Sequence, residues 1–406
     1  MGSSRRKRLD PPPHLLPSFD AMAQTKISKS HEYDSIVIGA GLAGLIAANQ
    51  LEHTGRKVAL IEAFDVLGGT SRPVQTVAGA IDHSLKFFPE TEESEATFQW
   101  LESVLGKSIE REVIEAPAVT YDEGKFKPFV GFGDQKIETA NEISAYAKTR
   151  FYKLGTTPKD WIPLLIESFT GTVFTQSYVT KMQVEDDFVI EILVNGSKRL
   201  SAREVIFAAT PQQVLKLLPE SHLTTKLRQR LLKGEFFTSM NLDLIHGHAV
   251  TESKAVHILK GANEEPSVGV FNEPVTTEDG RTVQVSQWTT LVPRDITDDS
   301  EITASALKQI KRQVKRAYEN SLEGLVKERV AVSPTSHGDL TGILAEDGKW
   351  PKVQNLWLIT SFQDAEKNVM GMLRQARRTL AALTGEPAQA YAYDTDLHDE
   401  APAPTV

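Results

Sequence analysis

Three glycines in a run of six, Gly39-Ala40-Gly41-Leu42-Ala43-Gly44, are the residues whose type and spacing point most directly to chemistry. Gly39 permits a tight turn, Gly41 lets backbone approach a pyrophosphate with no Cβ in the way, and Gly44 lets a helix pack closely on a strand. A helix starting there presents free N–H groups and partial positive charge to phosphate. Glu62 stands 18 residues past Gly44, where a carboxylate accepts both hydroxyls of a ribose. Gly68-Gly69-Thr70-Ser71-Arg72 follows shortly after, and then Asp82-His83-Ser84-Leu85-Lys86. His83 and Lys86 are candidates to orient a substrate or act as a base, although a single histidine more often serves as a structural hydrogen-bonding group. His246 and His248 alternate on a predicted strand, but no third ligand accompanies them there, so no metal site is assigned. Trp288 and Trp357 are read as cavity walls or, more commonly for Trp, as core.

The elements needed to position these residues are legible around the turn. Tyr33–Ile38 is a β-branched run that fits a buried parallel strand. Leu42–Thr54 carries apolar residues near helical spacing and stops at Gly55. Lys57–Ile61 is a second apolar strand. Strand, glycine turn, helix and strand within about 30 residues make one βαβ unit. Ser94–Lys107 predicts a helix, and 108–170 shows no clear pattern. Phe188–Val194 and Arg203–Ala209 flank Asn195-Gly196-Ser197, a hairpin signal. Gln213–Leu232 reads as helix, Met240–Val292 as several strands, Ile302–Tyr318 as an amphipathic helix with a solvated basic face, Leu356–Ile359 as a strand, and Gly371–Leu383 as a last helix.

With the Gly68-Gly69 pair behind Glu62, the sequence resembles the superfamily of flavin amine oxidases, phytoene desaturases and protoporphyrinogen oxidase. The resemblance is close over Asp34–Asp82. It is looser over Val173–Pro211, which resembles the superfamily's β-meander, and over Asn355–Leu383, its closing strand and helix. It implies an α/β fold in which a discontinuous Rossmann-like FAD-binding domain (30–87, 171–212 and 336–386) is interleaved with an α+β substrate domain (88–170 and 213–335). It implies FAD, bound non-covalently, on Gly39, Gly41, Leu42, Ala43, Gly44, Glu62, Ala63, Gly68, Gly69, Thr70, Ser71, Arg72, Val179, Ser361, Val369 and Met370. One departure stands out. Relatives end the closing strand with Gly-Asp; here the chain reads Leu358-Ile359-Thr360-Ser361-Phe362, and Asp364 is the nearest acid. The implied activity is hydride transfer from an amine or alkyl C–H substrate to flavin. Two alternatives stay open: a binding or escort protein that retains the fold without catalysis, and an NAD(P)-dependent dehydrogenase. No second Gly-x-Gly-x-x-Gly follows, which argues against a separate nicotinamide domain.

Composition bounds the rest. At roughly 100–200 residues per domain, 406 residues suggest two or three. With 40% hydrophobic and 24% charged residues, the chain is of ordinary globular composition. The net charge of -9 disfavours nucleic acid as a partner. The absence of cysteine excludes disulfides, thiolate metal ligation, a cysteine nucleophile and a flavin joined through cysteine sulfur. No run approaches the ~20 apolar residues of a membrane span. A small-molecule substrate and a cytoplasmic location are expected, with oligomeric state open. Arg5-Arg6-Lys7-Arg8 leads into Pro11-Pro12-Pro13 rather than an apolar core, so 1–29 reads as a disordered extension and not a secretory signal, and 387–406 as a disordered tail.

Overall fold

The computed structural model of the chain describes residues 31–262, 264–294 and 299–385. The two expected tails lie outside these residues.

Strand β1 (Tyr33–Ile38) leaves through the glycine turn into helix α1 (Leu42–His53), and β2 (Val58–Ile61) returns parallel to β1, with Val37 opposite Leu60. Three distant segments complete the sheet: Thr172–Phe174 beside β2, Ala202–Phe207 beside β1, and Leu356–Leu358 outside that, all parallel. Alternation along β1 serves two cores, as a strand buried on both faces requires. Val37, Leu60 and Ile206 face a layer of four helices: α1, α2 (Glu92–Leu105), α3 (Pro158–Ser168) and the last helix, Val369–Thr384. Ile36, Ile38 and Phe207 face a three-stranded meander, Val179–Glu185, Phe188–Val194 and Lys198–Leu200, and the short helices that follow it.

The second unit is a large, mostly antiparallel sheet. Its centre is Phe236–His246, in which all eleven residues are buried, paired on one side with Leu325–Gly338 and on the other with Thr282–Pro293. The sheet continues through Ser267–Phe271 and Val256–Leu259 to Ala118–Asp122. Helix Ser300–Ala317 covers one face, seating Ile310 and Val314 against Leu242, Leu244 and Trp288. Asp299 caps that helix by accepting the Glu301 N–H at 2.8 Å.

Several sequence expectations need correction. The Asn195-Gly196 turn, with both residues at positive φ, joins Phe188–Val194 to the three-residue strand Lys198–Leu200. Arg203–Ala209 is therefore not its hairpin partner; Ala202–Phe207 enters the parallel sheet, where its apolar run is buried on both faces. Gln213–Leu232 is not one helix, because Pro219 follows Leu217 and separates Val214–Leu217 from Thr225–Lys233. Helices α2 and α3, allotted with 88–170 to the second domain, pack through Phe98, Leu101, Trp161 and Leu165 on Leu45, Leu51 and Leu373 instead. Their apolar stripes match the glycine-turn layer and not the antiparallel sheet. The strand ending at Gly338 carries the large sheet past the expected boundary at 336.

Candidate functional site

The glycine turn is held by contacts that only glycine allows at two of its three positions. Gly39 has φ +97°, and a Cβ there would lie 2.7 Å from the Ala208 carbonyl oxygen. A Cβ on Gly44 would lie 1.7 Å from the Gly39 carbonyl oxygen. Gly41 differs: its backbone is extended (φ -71°) and a Cβ there would meet nothing within 4 Å. Packing among the described residues therefore does not require glycine at this position. Gly41 is also the N-cap of α1, and no side chain caps that end. A twelve-residue helix thus begins with its N–H groups and the positive end of its dipole bare beside the cavity described below.

Glu62 fixes the turn from the end of β2. It is buried; its Oε2 accepts the Ala40 N–H at 2.8 Å and its Oε1 the Phe64 N–H at 3.0 Å. The second glycine pair packs over the first loop. The Gly68 N–H donates to the Ala40 carbonyl at 2.7 Å, and Gly69 sits so close that its Cβ would be 3.1 Å from the Gly41 Cα. Arg72 donates from Nε to the Gly69 carbonyl at 3.1 Å. At the outer end, the Ser177 N–H donates to the Glu62 carbonyl at 2.8 Å and the Gln176 N–H to the Phe64 carbonyl at 2.9 Å, which holds the segment leading into the meander at Val179 against this loop.

A cavity of about 270 Å³ opens from this turn into the space between the two sheets. Of the residues named from sequence, Gly41, Leu42, Ala43, Thr70, Ser71, Lys86, Ser361 and Val369 line it. Gly39, Gly44, Gly68 and Gly69 shape the loops beneath. Met370 is buried and donates its N–H to the Asn368 side chain, while Met372 reaches the cavity. His83 does not line it. Arg329 donates to His83 Nδ1 at 2.8 Å while pairing with Asp243 at 2.7 Å. Burial, followed by the charges of Arg329, Lys86 and Arg72, lowers the His83 pKa to about 4, so the ring is neutral with its proton on Nε2.

The far wall has no counterpart among the residues named from sequence. It is formed by Ser239, Asn241, Thr289, Ser333, Ser336, His337 and Tyr146. Six come from the three central strands of the antiparallel sheet, in register: Ser239 opposite Ser333, and Asn241 opposite Thr289. Thr289 donates to the Asn241 side-chain oxygen at 2.8 Å, and Ser336 meets both Ser239 and, at 2.9 Å, His337 Nδ1. Tyr146 OH lies 3.4 Å from His337 Nε2. Burial lowers the His337 pKa to about 4 and raises that of Tyr146 to about 12, so both are neutral at ordinary pH. The signal for this wall is present in the sequence as polar residues at every second position, Ser239-x-Asn241-x-Asp243, inside an otherwise apolar strand.

The closing segment fits a dinucleotide only in part. Thr360 Oγ1 accepts the Phe362 N–H, Ser361 reaches the cavity, and Phe362 is buried 5.9 Å from the Phe236 ring. Asp364 faces away from the cavity and pairs with Arg374 at 2.6 Å and Arg378 at 3.2 Å. His246, whose ring lies 6.4 Å from that of His248, and the two named tryptophans have structural duties. His246 donates from Nδ1 to the Ser321 carbonyl and accepts at Nε2 from Ser286, each at 2.8 Å. Trp288 is core, and buried Trp357 donates to Glu204 at 2.7 Å. Among the described residues no helix is long and apolar enough to cross a membrane.

The fold and turn define a Rossmann-like dinucleotide unit joined to an antiparallel sheet, and comparison with known proteins agrees. A family model described as NAD(P)-binding Rossmann-like domain matches residues 37–104. Over 46 residues the chain is 46% identical to chloroplastic prolycopene isomerase 2 of an Oncidium hybrid cultivar; the match spans 11% of this chain and 8% of that protein. A 45-residue match to the prolycopene isomerase of Daucus carota is 49% identical and spans 11% and 7%. The likeness of fold runs much further. An oxidoreductase from Methanosarcina mazei superposes with a TM-score of 0.61 at 13% identity, over 87% of this chain and 100% of the other. Cyclohexylamine oxidase from Brevibacterium oxydans gives 0.61 at 11%, over 87% and 99%. A putrescine oxidase solved with putrescine bound gives 0.59 at 16%, over 87% and 99%. The chain therefore has the two-unit fold of these oxidoreductases.

Proposed function

We propose that the chain is an FAD-dependent oxidoreductase that removes a hydride from a small molecule, at a C–H beside nitrogen or in an alkyl pair. One observation carries this reading: a single cavity begins at the bare N-terminus of α1 and ends among the side chains of the antiparallel sheet, so a dinucleotide and a substrate would share it. The α1 N–H groups at Leu42, Ala43 and Gly44 and the Gly68–Arg72 loop would hold the pyrophosphate. Glu62 and Ala63 would hold the ribose, with Val179 beside the adenine. Ser361 and Val369, with Met372 in place of the buried Met370, would meet the ribityl and ring end. FAD would supply a two-electron acceptor that the side chains themselves lack. The chain's part is to position and exclude water. The hydroxyls of Ser239, Ser333 and Thr289 orient polar groups of the substrate, and neutral His337, beside Ser336 and Tyr146, offers an imidazole as proton acceptor.

The test begins with the purified protein. It should be yellow and should release about one FAD per chain on heating or acidification. Anaerobic mixing with amines and polyenes should then bleach the flavin for the true substrate class, whereas NADH and NADPH should not. A colourless preparation that also fails to take up added FAD would exclude the proposal and favour the binding-protein alternative, for which the missing Gly-Asp is the observation in favour.

A further inference from the structure

We propose that this cavity selects a molecule carrying an anionic group, a carboxylate, and anchors it on Lys86. The inference rests on the reading of the cavity as a shared cofactor and substrate site. Among the described residues that line it are two lysines and no aspartate or glutamate. Lys367 is already neutralised, since its Nζ lies 3.0 Å from Asp339 and donates also to Thr341 and the Phe362 carbonyl. Lys86 is not. Its Nζ donates to Ser84 Oγ at 3.0 Å and approaches the Thr70 carbonyl at 3.4 Å, and among the described residues no carboxylate lies within the 4.0 Å of an ion pair.

The two nearest acids are committed elsewhere. Asp82 accepts from Thr157 at 2.6 Å and from the Lys159 N–H at 2.9 Å. Asp243 accepts from Arg329 at 2.7 Å and from Gln287 at 3.1 Å. Both acids act on the Lys86 charge only from beyond ion-pair distance, and burial outweighs them. Burial lowers the Lys86 pKa, which means that its charge is under-solvated and gains from a counter-ion. Of the facing groups, Thr289 already donates to Asn241 Oδ1 and the Asn241 amide to the Ala331 carbonyl, so the Ser333 hydroxyl is the neutral donor left to add to the coordination of an anion. A diamine, such as the putrescine held by the related structure, would meet a like charge and find no carboxylate.

Benzoate, benzylamine and benzamide are near-isosteric probes of negative, positive and zero charge, small enough for the cavity. Binding to the full chain is measured by calorimetry at neutral pH, with and without added FAD, and flavin content is measured in parallel. Benzoate should bind at least about tenfold more tightly than benzylamine. Lys86→Met should weaken benzoate about tenfold and leave benzamide within twofold, and Lys86→Arg should keep the preference. Benzylamine binding as tightly as benzoate to the unmodified chain would overturn the proposal. So would a Lys86→Met variant that loses FAD but keeps the benzoate preference, which would assign Lys86 to the cofactor. If the chain takes up no FAD at all, the oxidoreductase reading falls; a benzoate preference that depends on Lys86 would still sustain the anion site.

Discussion

Gly41 and Gly44 should respond to the same substitution in opposite ways. In Gly44→Ala the new methyl carbon would sit 1.7 Å from the Gly39 carbonyl oxygen and 2.9 Å from its carbon. Both atoms are backbone, in the turn that β1, β2 and α1 hold from three sides, so relief requires the helix to move off the strand. Overpacking of that kind costs on the order of 3 kcal/mol or more. In Gly41→Ala the methyl meets nothing within 4 Å, and φ of -71° suits alanine. The weaker N-cap costs roughly 0.5–1 kcal/mol, and the smaller backbone entropy of the unfolded chain returns about 0.4–1 kcal/mol. The stability of the flavin-free protein should therefore change by less than about 1 kcal/mol. The methyl nevertheless occupies the approach to the α1 N–H groups, and FAD affinity should fall on the order of 100-fold, about 2.7 kcal/mol. Urea unfolding of the deflavinated protein and titration of FAD by fluorescence quenching measure the two effects separately. Unchanged FAD affinity in Gly41→Ala would refute the placement of pyrophosphate at this turn. A large loss of flavin-free stability would refute the claim that packing leaves the position open.

Glu62→Ala should lower both flavin content and the melting temperature of the flavin-free protein, because the Ala40 and Phe64 N–H groups lose their acceptor, at about 1–3 kcal/mol for the buried Ala40 group and less for exposed Phe64; flavin loss with no change in melting would assign the carboxylate to the ligand alone. Arg374→Met should destabilise by roughly 3–5 kcal/mol, since it leaves the buried Asp364 carboxylate without its main partner, and the double variant Arg374→Met with Asp364→Leu should recover most of that in denaturant unfolding. His246 and His257 are buried, and desolvation holds both near a pKa of 4 against 6.5 for the free group. Their folded pKa is depressed, so the unfolded chain binds protons first as pH falls; stability should be full above about pH 6.5 and decline toward pH 4, by on the order of 1–2 kcal/mol per histidine between about pH 7 and 5, and His257→Phe should flatten part of that slope.

The glycine turn is legible in the sequence because its constraints are local. Gly44 must be glycine on account of Gly39, five residues away, and Glu62 closes the loop through the Ala40 N–H. The wall of hydroxyls is not, because strand register, and not sequence proximity, assembles it: Asn241 donates to the Ala331 carbonyl across ninety positions and accepts from Thr289 across forty-eight. A one-residue slip of either neighbour would turn its polar stripe away from the cavity. Tyr146 comes from a stretch with no periodic signal at all. Helix α3 lies in that same stretch, yet Thr157 and Asp160 form a capping box at its start, a local signature that the sequence carries by itself and that periodicity alone does not register. The allotment of α2 and α3 to the second domain fails for a different reason. An amphipathic stripe says that a helix is buried on one side, but not against which sheet.

The missing Gly-Asp at the closing strand finds a physical counterpart in what Asp364 does. Burial alone would raise its pKa, but hydrogen bonds and charge from Arg374, with Arg378 beside it, hold it lowered and ionised. That pair ties the loop 364–368 to the last helix from below, and the loop lies so tightly on it that a Cβ on Gly371 would come 1.8 Å from the Glu366 carbonyl. Asn368 then caps the helix through the Met370 and Gly371 N–H groups, and Val369 is left at the cavity. Where the resembled superfamily has Gly-Asp, this chain presents the neutral hydroxyl of Ser361 to the cavity, while the nearest acid, Asp364, is used to aim a helix. Among the described residues the cavity lining thus holds no carboxylate, and Asp82 and Asp243, the acids that act on Lys86, are hydrogen-bonded to Thr157 and Arg329, which leaves the ammonium without an ion-pair partner.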